Sequence, residues 1–270
     1  PAAARAYFER WFLPYAAANK AERDGMFTGY YEPELRVARR RDSRFAVPIH
    51  GRPADLVMVE LGQFRPDWRG QRTAGRVVDG QLVPYPARAE IAAGALDGRA
   101  PVIAWAADPI DVFFMEIQGS GRLVFDDGRA LHVSYVAQNG HPYVAIGREF
   151  IARGILPRDQ VSMQSIRAWL QANPGPAAAE MMNSNPSYVF FRALDDDGPI
   201  GAQGVPLTPG RSLAVDRKFL PFGLPIWLDA DDPLDPAQRV RRLVVAQDTG
   251  GAIRGPVRGD VFWGAGAEAA

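Results

Sequence analysis

Hydrophobic and polar residues follow two different periods along this chain. Near the start, aromatic residues recur at helical spacing, which predicts an amphipathic helix over 2–18 that is broken near Pro14. From residue 26 the pattern becomes that of short β-strands. The predicted strands cover 26–31, 45–49, 56–61, 76–78, 81–85, 102–105, 111–118, 121–125, 129–135, 188–192, 213–215, 225–228, 243–246 and 261–263.

Turn signals and two helical stretches organise these strands. Asp79-Gly80 and the segment 126–128 predict tight hairpins between neighbouring strands. Helices are predicted over 144–153, ended by Gly154, and over 163–171. The acidic triplet 195–197 is predicted to be a solvated turn, because the ligand spacing of a calcium loop is absent. Many short strands joined by turns favour a β-barrel or sandwich over a βαβ array.

Length, charge and composition limit the number of domains and the classes of function that this chain can have. A chain of 270 residues with 47% hydrophobic content favours two domains. Lys and Arg total 31, as do Asp and Glu, so no net charge draws the chain to nucleic acid or to an anionic membrane surface. Without cysteine there is no disulfide framework and no thiol nucleophile. No apolar run approaches the roughly 18 residues of a transmembrane helix.

The stretch 247–264 carries the clearest candidate chemistry. It sets Asp248 and Asp260 on either side of a glycine-rich segment, which lets a bulky ligand approach the backbone. Asp248 is predicted to end the strand over 243–246, and Asp260 to lie just before the strand over 261–263. A turn with two solvated acids fits the same spacing equally well.

Outside the stretch 247–264, the sequence disfavours a histidine metal site and a serine nucleophile. No two of the three histidines have metal-ligand spacing, so no metal site and no cofactor are predicted. His132 is predicted to face outward from a strand, whereas His141 follows a turn and is a weaker ligand-contact candidate. Ser120 lacks a strand-to-helix nucleophile elbow, so the segment 119–121 is predicted to be a flexible binding loop.

The remaining candidate residues are acids, amides and aromatic residues, which are the residue types that bind carbohydrates. Taken alone, each of them could equally be a turn or cap residue. Their recurrence beside glycines shifts the balance towards sugar binding. Asp260 and Asp248 are the catalytic candidates. The substrate-binding candidates are Thr28, Tyr30, Gln118, Gly119, Ser120, Asn139, Gln164, Asn185, Thr249 and Gly250.

Ordered motifs over nearly the whole length carry a family resemblance. They are Phe27-Thr28-Gly29-Tyr30-Tyr31-Glu32-Pro33, Leu82-Val83-Pro84-Tyr85, Arg88-Ala89-Glu90-Ile91, Gly94-Ala95-Leu96, Phe114-Met115-Glu116-Ile117-Gln118-Gly119-Ser120-Gly121, Asn139-Gly140-His141-Pro142-Tyr143, Ser162-Met163-Gln164, Asn185-Pro186-Ser187-Tyr188-Val189-Phe190-Phe191, Val205-Pro206-Leu207-Thr208, Gln247-Asp248-Thr249-Gly250-Gly251-Ala252-Ile253 and Gly264-Ala265-Gly266-Ala267-Glu268-Ala269. In these segments the chain resembles the MltA family, the membrane-bound lytic murein transglycosylases that cut bacterial peptidoglycan.

The resemblance implies a mainly β fold. A double-psi β-barrel catalytic domain would comprise 1–32 and 193–270, with a second, β-barrel-like domain inserted over 33–192, a few helices, and a groove between the domains for the glycan. It places the catalytic aspartate at Asp260 and makes Asp248 an auxiliary group. Family members usually continue past 264–270 with further barrel residues.

The resemblance also implies an activity and a compartment. The β-1,4 bond between N-acetylmuramic acid and N-acetylglucosamine would be cleaved with formation of a 1,6-anhydromuramoyl product. Peptidoglycan glycan strands would be the partner, together with other cell-wall enzymes. The expected location is the periplasm of a Gram-negative bacterium. Because the chain begins at Pro1, a signal segment or the lipid anchor to the outer membrane would belong to the precursor.

Three other interpretations stay open at this stage. An inverting hydrolase would use Asp260 as the acid and Asp248 as the base. A non-catalytic wall-binding module similar to expansins would bind glycan without releasing soluble products. A purely structural β-protein is disfavoured by the ordered set of motifs.

Overall fold

The computed structural model describes residues 2–20, 24–194, 198–232, 235 and 237–266, so the acidic triplet 195–197 lies outside the described residues. Strands dominate, and the chain is mainly β, as predicted. In chain order they are β1 (Met26–Glu32), β2 (Glu34–Ala38), β3 (Val47–His50), β4 (Val57–Glu60), β5 (Arg72–Val78), β6 (Gln81–Pro84), β7 (Val102–Ala106), β8 (Ser120–Phe125), β9 (Ala130–Gln138), β10 (Val189–Leu194), β11 (Ser212–Val215), β12 (Pro225–Asp231), β13 (Arg239–Asp248) and β14 (Arg258–Ala265).

The helices are short and lie mostly in the middle of the chain. They are α1 (Ala2–Trp11), α2 (Arg88–Ala92), α3 (Pro109–Gln118), α4 (Gly147–Ala152), α5 (Met163–Ala172) and α6 (Pro176–Asn183), with 3₁₀ turns at Leu61–Gln63, Pro66–Trp68 and Arg158–Gln160. The prediction of helices around 144–153 and 163–171 is confirmed, whereas α2 and α6 were not predicted. Among the described residues, no helix is both long and apolar enough to cross a membrane.

One predicted strand is wrong, because residues 111–118 form most of α3. The Asp108 side chain caps the helix by accepting a hydrogen bond of 2.8 Å from the backbone N–H of Ile110. Pro109 occupies the first turn, and Gly119 ends the helix in the left-handed conformation with φ 78°. Residues 110 and 112–116 of this helix are buried, so its apolar residues are not confined to one helical face, and periodicity cannot separate such a segment from a buried strand.

The chain divides into two compact units. Unit 1 comprises Pro1–Tyr30 and Ile200–Gly264, and unit 2 comprises Tyr31–Pro199 and Ala265–Ala270. A five-stranded sheet of order β1-β14-β11-β13-β12 forms the frame of unit 1. One face of this sheet carries an apolar core that includes Leu213, Val215, Val244 and Val261. Because side chains alternate along a strand, Ala214 and Asp260 belong to the opposite face.

The central strand β11 sets the register of its two neighbours. It pairs antiparallel with β14, where Ala214 lies opposite Asp260. It pairs parallel with β13, where Leu213 lies opposite Ala246 and Ala214 lies opposite Asp248. The register therefore shifts by one residue, and Gln247 is the extra residue of a bulge. Without that shift, Gln247 would pair with Ala214 in place of Asp248.

Unit 2 contains two sheets and most of the helices. A six-stranded sheet has the order β10-β9-β8-β2-β7-β3, and a three-stranded sheet has the order β4-β5-β6. The predicted hairpin turns at Asp79-Gly80 and at 126–128 join β5 to β6 and β8 to β9. A core below the larger sheet includes Val37, Leu123 and Val133, and a separate core forms among α3, α4, α5 and α6.

A buried ion pair ties the segments of unit 2 together. Arg88 on α2 donates from Nη2 to Glu116 on α3 over 2.7 Å, and both side chains are less than one-tenth exposed. Arg88 also donates to the carbonyl oxygens of Asn185 and Ser187, and Glu116 accepts from the N–H of Val189. Every charge in this cluster has partners, which is the condition under which buried ions are tolerated.

Candidate active site

The two candidate acids lie on either side of one small residue in unit 1. Asp260 on β14 and Asp248 on β13 are both in register with Ala214 on β11. Since neighbouring strands are about 4.8 Å apart, the two Cα atoms are separated by about 10 Å across the sheet. The prediction that Asp248 ends its strand is confirmed. The prediction that Asp260 precedes its strand is wrong, because antiparallel pairing with β11 extends back to Gly259.

Asp260 is held from one side only. The Thr28 hydroxyl on β1 donates to Asp260 Oδ1 over 2.8 Å. Arg258 Nη2 in turn donates to Thr28 Oγ1 over 3.0 Å. Among the described residues, Asp260 Oδ2 accepts no hydrogen bond and the carboxylate forms no ion pair. Asp260 is half-buried and keeps one oxygen available.

Asp248 is held from both sides. Its Oδ2 accepts a hydrogen bond of 2.7 Å from the Tyr30 hydroxyl on β1. Its Oδ1 accepts two bonds of 2.9 Å from the backbone N–H groups of Ala202 and Thr249. Both oxygens are therefore engaged by neutral donors, and no cation pairs with this carboxylate within the described part of the chain. The two acids therefore differ in how many hydrogen bonds their carboxylate oxygens accept.

Burial raises the pKa of Asp260 above its ordinary value. The hydrogen bond from Thr28 and the charge of Arg258 oppose this rise in pKa, and the charge of Asp248 adds to it. Burial also raises the pKa of Asp248, against the hydrogen bonds that it accepts. The pKa of the Tyr30 hydroxyl is raised as well, by burial and by Asp248, so this group keeps its proton and acts as a donor.

The glycine-rich loop between the acids is fastened at two points. Asp216, which directly follows β11 and is 4% exposed, accepts hydrogen bonds from the N–H groups of Lys218 and Gly255 over 3.1 and 2.9 Å. Thr249 donates to the carbonyl oxygen of Val215 over 2.9 Å. Thr249 is exposed and Gly250 is half-buried, so both predicted substrate-binding residues lie in this loop beside Asp248.

Two of the predicted substrate-binding amides lie at or near a cavity of unit 2. This cavity of about 590 Å³ is lined by Gln164 together with Tyr31, Pro33, Glu34, Leu35, Asp111, Met163, Arg167 and Gly266. Gln164 is exposed. Gln118 contacts the sulfur of Met163 over 3.6 Å. Their role as glycan contacts stays a prediction.

Two other predicted contacts, Asn139 and Asn185, are buried and therefore have little or no access to a glycan. Asn139, which is fully buried, donates to the carbonyl oxygens of Pro86 and Pro186 and accepts from Tyr188. Asn185 is 2% exposed and accepts from the N–H groups of Val144 and Ser187. These amides hold loops of unit 2 from within, so the contact role predicted for them does not fit their placement.

The predicted flexible loop at 119–121 is also wrong. Gly119 is the left-handed residue that ends α3, and Ser120 is the buried first residue of β8, paired with Ser134. A Cβ at Gly121 would lie 2.4 Å from the Met115 sulfur, so this glycine permits close packing of helix and strand.

The histidine predictions have mixed outcomes. His132 does not face outward: its Nδ1 lies 3.1 Å from both carboxylate oxygens of Glu32, a fully buried residue. Burial raises the pKa of Glu32, and His132 opposes that rise. His141 Nε2 lies 2.7 Å from the carbonyl oxygen of Tyr85, which gives it a structural contact.

Sequence reasoning missed two side chains that shape the site. The sequence does not indicate that Arg258 contacts Thr28, and Asp216 is not among the predicted site residues. A usable signal existed for Asp216, because it directly follows the apolar run 213–215, much as Asp248 comes after the run 243–246 with one residue between them.

Comparisons with known proteins cover both parts of the chain. A family model described as the MltA specific insert domain matches residues 26–192, and a model described as a 3D domain matches residues 211–270. Membrane-bound lytic murein transglycosylase A of Vibrio cholerae is 35% identical over 235 residues, which is 85% of this chain and 56% of that protein. The chain therefore spans less than two thirds of the length of this relative.

Solved structures agree with the sequence comparisons. A membrane-bound lytic murein transglycosylase from Agrobacterium tumefaciens has a TM-score of 0.81 and 41% identity, over 90% of this chain and 68% of that chain. Escherichia coli MltA with bound chitohexaose has a TM-score of 0.73 and 34% identity, over 90% of this chain and 66% of that chain. Because the insert-domain match alone covers more than half of its residues, the chain belongs to the MltA family.

Proposed function

We propose that this chain is a lytic transglycosylase that cleaves the β-1,4 bond between N-acetylmuramic acid and N-acetylglucosamine in peptidoglycan and forms a 1,6-anhydromuramoyl end. Asp260 is the catalytic residue. The family membership and the relatives named lytic murein transglycosylases support this activity. Escherichia coli MltA with bound chitohexaose supports a glycan substrate.

The unequal hydrogen bonding of the two acids is the observation that carries the proposal. Within the described part of the chain, one oxygen of Asp260 accepts no hydrogen bond, whereas both oxygens of Asp248 accept bonds from neutral donors. An inverting hydrolase needs a second carboxylate with a lone pair free to activate water. Asp248 Oδ2 keeps one lone pair but is held by Tyr30, whereas Asp260 Oδ2 accepts no hydrogen bond from the described residues, so the arrangement favours a reaction that uses the Asp260 carboxyl group twice.

The first step transfers a proton. Asp260 begins protonated, which its raised pKa favours, and gives the proton from Oδ2 to the oxygen of the glycosidic bond. The bond from this oxygen to C1 of the muramic acid residue breaks, and the N-acetylglucosamine portion leaves as an alcohol. An oxocarbenium-like centre remains at C1, and Asp260 is now a carboxylate.

The second step closes a ring. Asp260 takes the proton of the O6 hydroxyl on the same muramic acid residue, and O6 forms the new bond to C1. No water is consumed, and Asp260 returns to its protonated form. The attacking hydroxyl belongs to the sugar itself, so its effective concentration is already very high and no second catalytic carboxylate is needed.

Asp248 and Tyr30 support this cycle through Asp260. The charge of Asp248 raises the pKa of Asp260, which favours the protonated starting form. The Tyr30 hydroxyl holds Asp248 in place and keeps its own proton. We propose that Gln164 and Gln118 in unit 2 and Thr249 and Gly250 in the loop contact the glycan.

The domain assignment belongs to the same proposal. We propose that 1–32 and 193–270 form the catalytic domain, with 33–192 inserted, and that the protein acts on the wall from the periplasmic side of the outer membrane. All partners of the two acids lie in unit 1, which supports the first part. The word membrane-bound in the names of the relatives supports the second.

Digestion of purified murein sacculi followed by mass spectrometry tests the reaction. We expect soluble muropeptides with 1,6-anhydro ends, each one water lighter than the hydrolytic product. Reducing ends alone would replace the proposal with hydrolysis. Glycan binding without any soluble product would replace it with a wall-binding function.

A further inference from the structure

We propose that Thr28 and Arg258 are positioning residues that select Asp260 Oδ2 as the oxygen that carries the catalytic proton. This inference rests on the proposed function, because it concerns the same carboxyl group. It adds two residues whose action on the substrate is indirect: Arg258 orients Thr28, and Thr28 orients Asp260.

The direction of the hydrogen bonds carries the inference. A guanidinium group can only donate, so Arg258 Nη2 must be the donor in its 3.0 Å contact with Thr28 Oγ1. The hydroxyl proton of Thr28 is then directed along the 2.8 Å contact to Asp260 Oδ1. Oδ1 is the acceptor in this arrangement, and in a carboxylic acid the carbonyl oxygen is a stronger acceptor than the hydroxyl oxygen. The proton of the acid form therefore resides on Oδ2.

Arg258 is itself fixed by the backbone. Its Nη1 donates to the carbonyl oxygen of Met26 on β1 over 3.3 Å and contacts that of Gly259 on its own strand. The side chain thus spans β14 and β1 while its Nη2 reaches Thr28. Its Nε is buried without a hydrogen-bond partner among the described residues. A lysine has one ammonium group and cannot reproduce this fork of contacts.

The charged and titratable groups around Asp260 can be identified strand by strand. They are Tyr30 on β1, Asp248 on β13 and Arg258 on β14, whereas β11 contributes the uncharged Ala214. The Thr28 hydrogen bond and Arg258 lower the pKa of Asp260, and Asp248 raises it. Loss of Thr28 or Arg258 therefore moves the alkaline limb of the rate profile to higher pH, since turnover requires protonated Asp260.

A double-mutant cycle separates positioning from simple structural support. The variants are Thr28→Val, Arg258→Met and the double variant, with Thr28→Ser and Arg258→Lys as conservative controls. The kcat for soluble muropeptide release from sacculi is measured across pH, and thermal unfolding of each variant confirms that it is folded.

We expect Thr28→Val and Arg258→Met each to lower the acidic plateau of kcat by at least about tenfold, because proton transfer is sensitive to misplacement of the acid. In the Thr28→Val background, adding Arg258→Met should change this plateau by less than about twofold, because Arg258 has no hydroxyl left to orient. Thr28→Ser should retain activity. Arg258→Lys keeps the charge but loses the fork, so its plateau should fall as in Arg258→Met, with a smaller shift of the alkaline limb.

Two results would overturn the positioning role. One is a double variant whose loss in kcat equals the product of the two single losses. The other is a Thr28→Val variant whose rate profile keeps its alkaline limb at the original pH. Failure of the proposed function has a different signature, since the unmodified protein would then release no 1,6-anhydro products from sacculi. If the unmodified protein forms those products and the cycle is multiplicative, only the positioning inference fails.

Discussion

The buried carboxylate of unit 2 and the two candidate acids of unit 1 have different kinds of hydrogen-bond donors. In unit 2, Glu116 is buried against Arg88, and a backbone N–H supplies a further hydrogen bond. In unit 1, Asp260 and Asp248 are partly buried, and hydroxyl and backbone N–H groups are their hydrogen-bond donors. No cation forms an ion pair with either aspartate among the described residues.

The difference separates a structural acid from chemically useful ones. A buried carboxylate beside a guanidinium is held as a charge and gains specificity of packing. Burial raises the pKa of Glu116 and of Asp260 alike, but the charge and hydrogen bonds of Arg88 oppose that rise at Glu116, whereas Asp260 has no cation paired with it among the described residues and can serve as a proton donor. Pairing with a cation, more than burial, therefore distinguishes the two clusters.

Asp260→Asn should have the largest effect and tests whether Asp260 is the chemically active acid. We expect turnover of glycan to fall by about 10²- to 10⁴-fold, because the amide cannot donate and recover a proton, while glycan binding changes little. Release of muropeptides measures the first effect, and sacculus pull-down measures the second. Asp229→Asn is the matched control, since Asp229 is an exposed unit 1 acid paired with Arg239. Near-normal turnover by Asp260→Asn would remove the assignment.

Glu116→Ala should have the next largest effect, on stability. It leaves the Arg88 guanidinium buried without its carboxylate, which costs about 3–5 kcal/mol in the free energy of unfolding. Glu34→Ala removes a partly exposed partner of Arg122 and should cost less than about 1 kcal/mol. Urea unfolding compares the two variants. Equal losses in the free energy of unfolding would show that the buried Arg88–Glu116 pair contributes no more to stability than an exposed pair.

Asp248→Asn should weaken the reaction less than Asp260→Asn, by about 10- to 100-fold in kcat, through lost orientation and the lost charge. Because the negative charge of Asp248 raises the pKa of Asp260, its removal should also move the alkaline limb to lower pH. The rate profile over pH tests this. A shift to higher pH would contradict the electrostatic coupling and is the shift expected of Thr28→Val.

The smallest effect concerns stability against pH. The folded-state pKa of Asp260 lies above its unfolded value, so its contribution to stability is fully present below the unfolded pKa, near 4, and is lost as pH rises through the folded pKa. Asp260→Asn lacks this dependence. The variant should therefore become more stable relative to the unmodified protein as pH rises, which thermal unfolding at several pH values measures. A difference that is constant with pH would count against a raised pKa.

The sequence was most informative where patterns are local. The strand patterns of unit 1 and the two hairpin turns of unit 2 are confirmed, because alternation and turn residues act over a few positions. The assignment of 111–118 failed because α3 is buried on most sides, which erases the helical period. Its cap residue Asp108 and the following Pro109 were the usable signals.

The composition of the site was also easier to predict than its connections. Thr28, Tyr30, Asp248 and Asp260 were all named from the sequence, and the structure brings them together in unit 1. Which hydroxyl binds which acid depends on strand order, since Thr28 and Asp260 are 232 residues apart. Residue type alone could not show that Asn139 is buried, because an amide serves a loop as readily as a sugar.

The one-residue bulge at Gln247 has a consequence for how this protein can vary. The bulge shifts the register by one residue and so decides which side chain of β13 lies beside Ala214. The pairing of β11 with β13 and β14 therefore sets the distance between the acids, and the length of the loop 249–257 does not. Insertions in that loop should be tolerated where its anchor at Asp216 is kept, whereas deletion of Gln247 alone should disable the site.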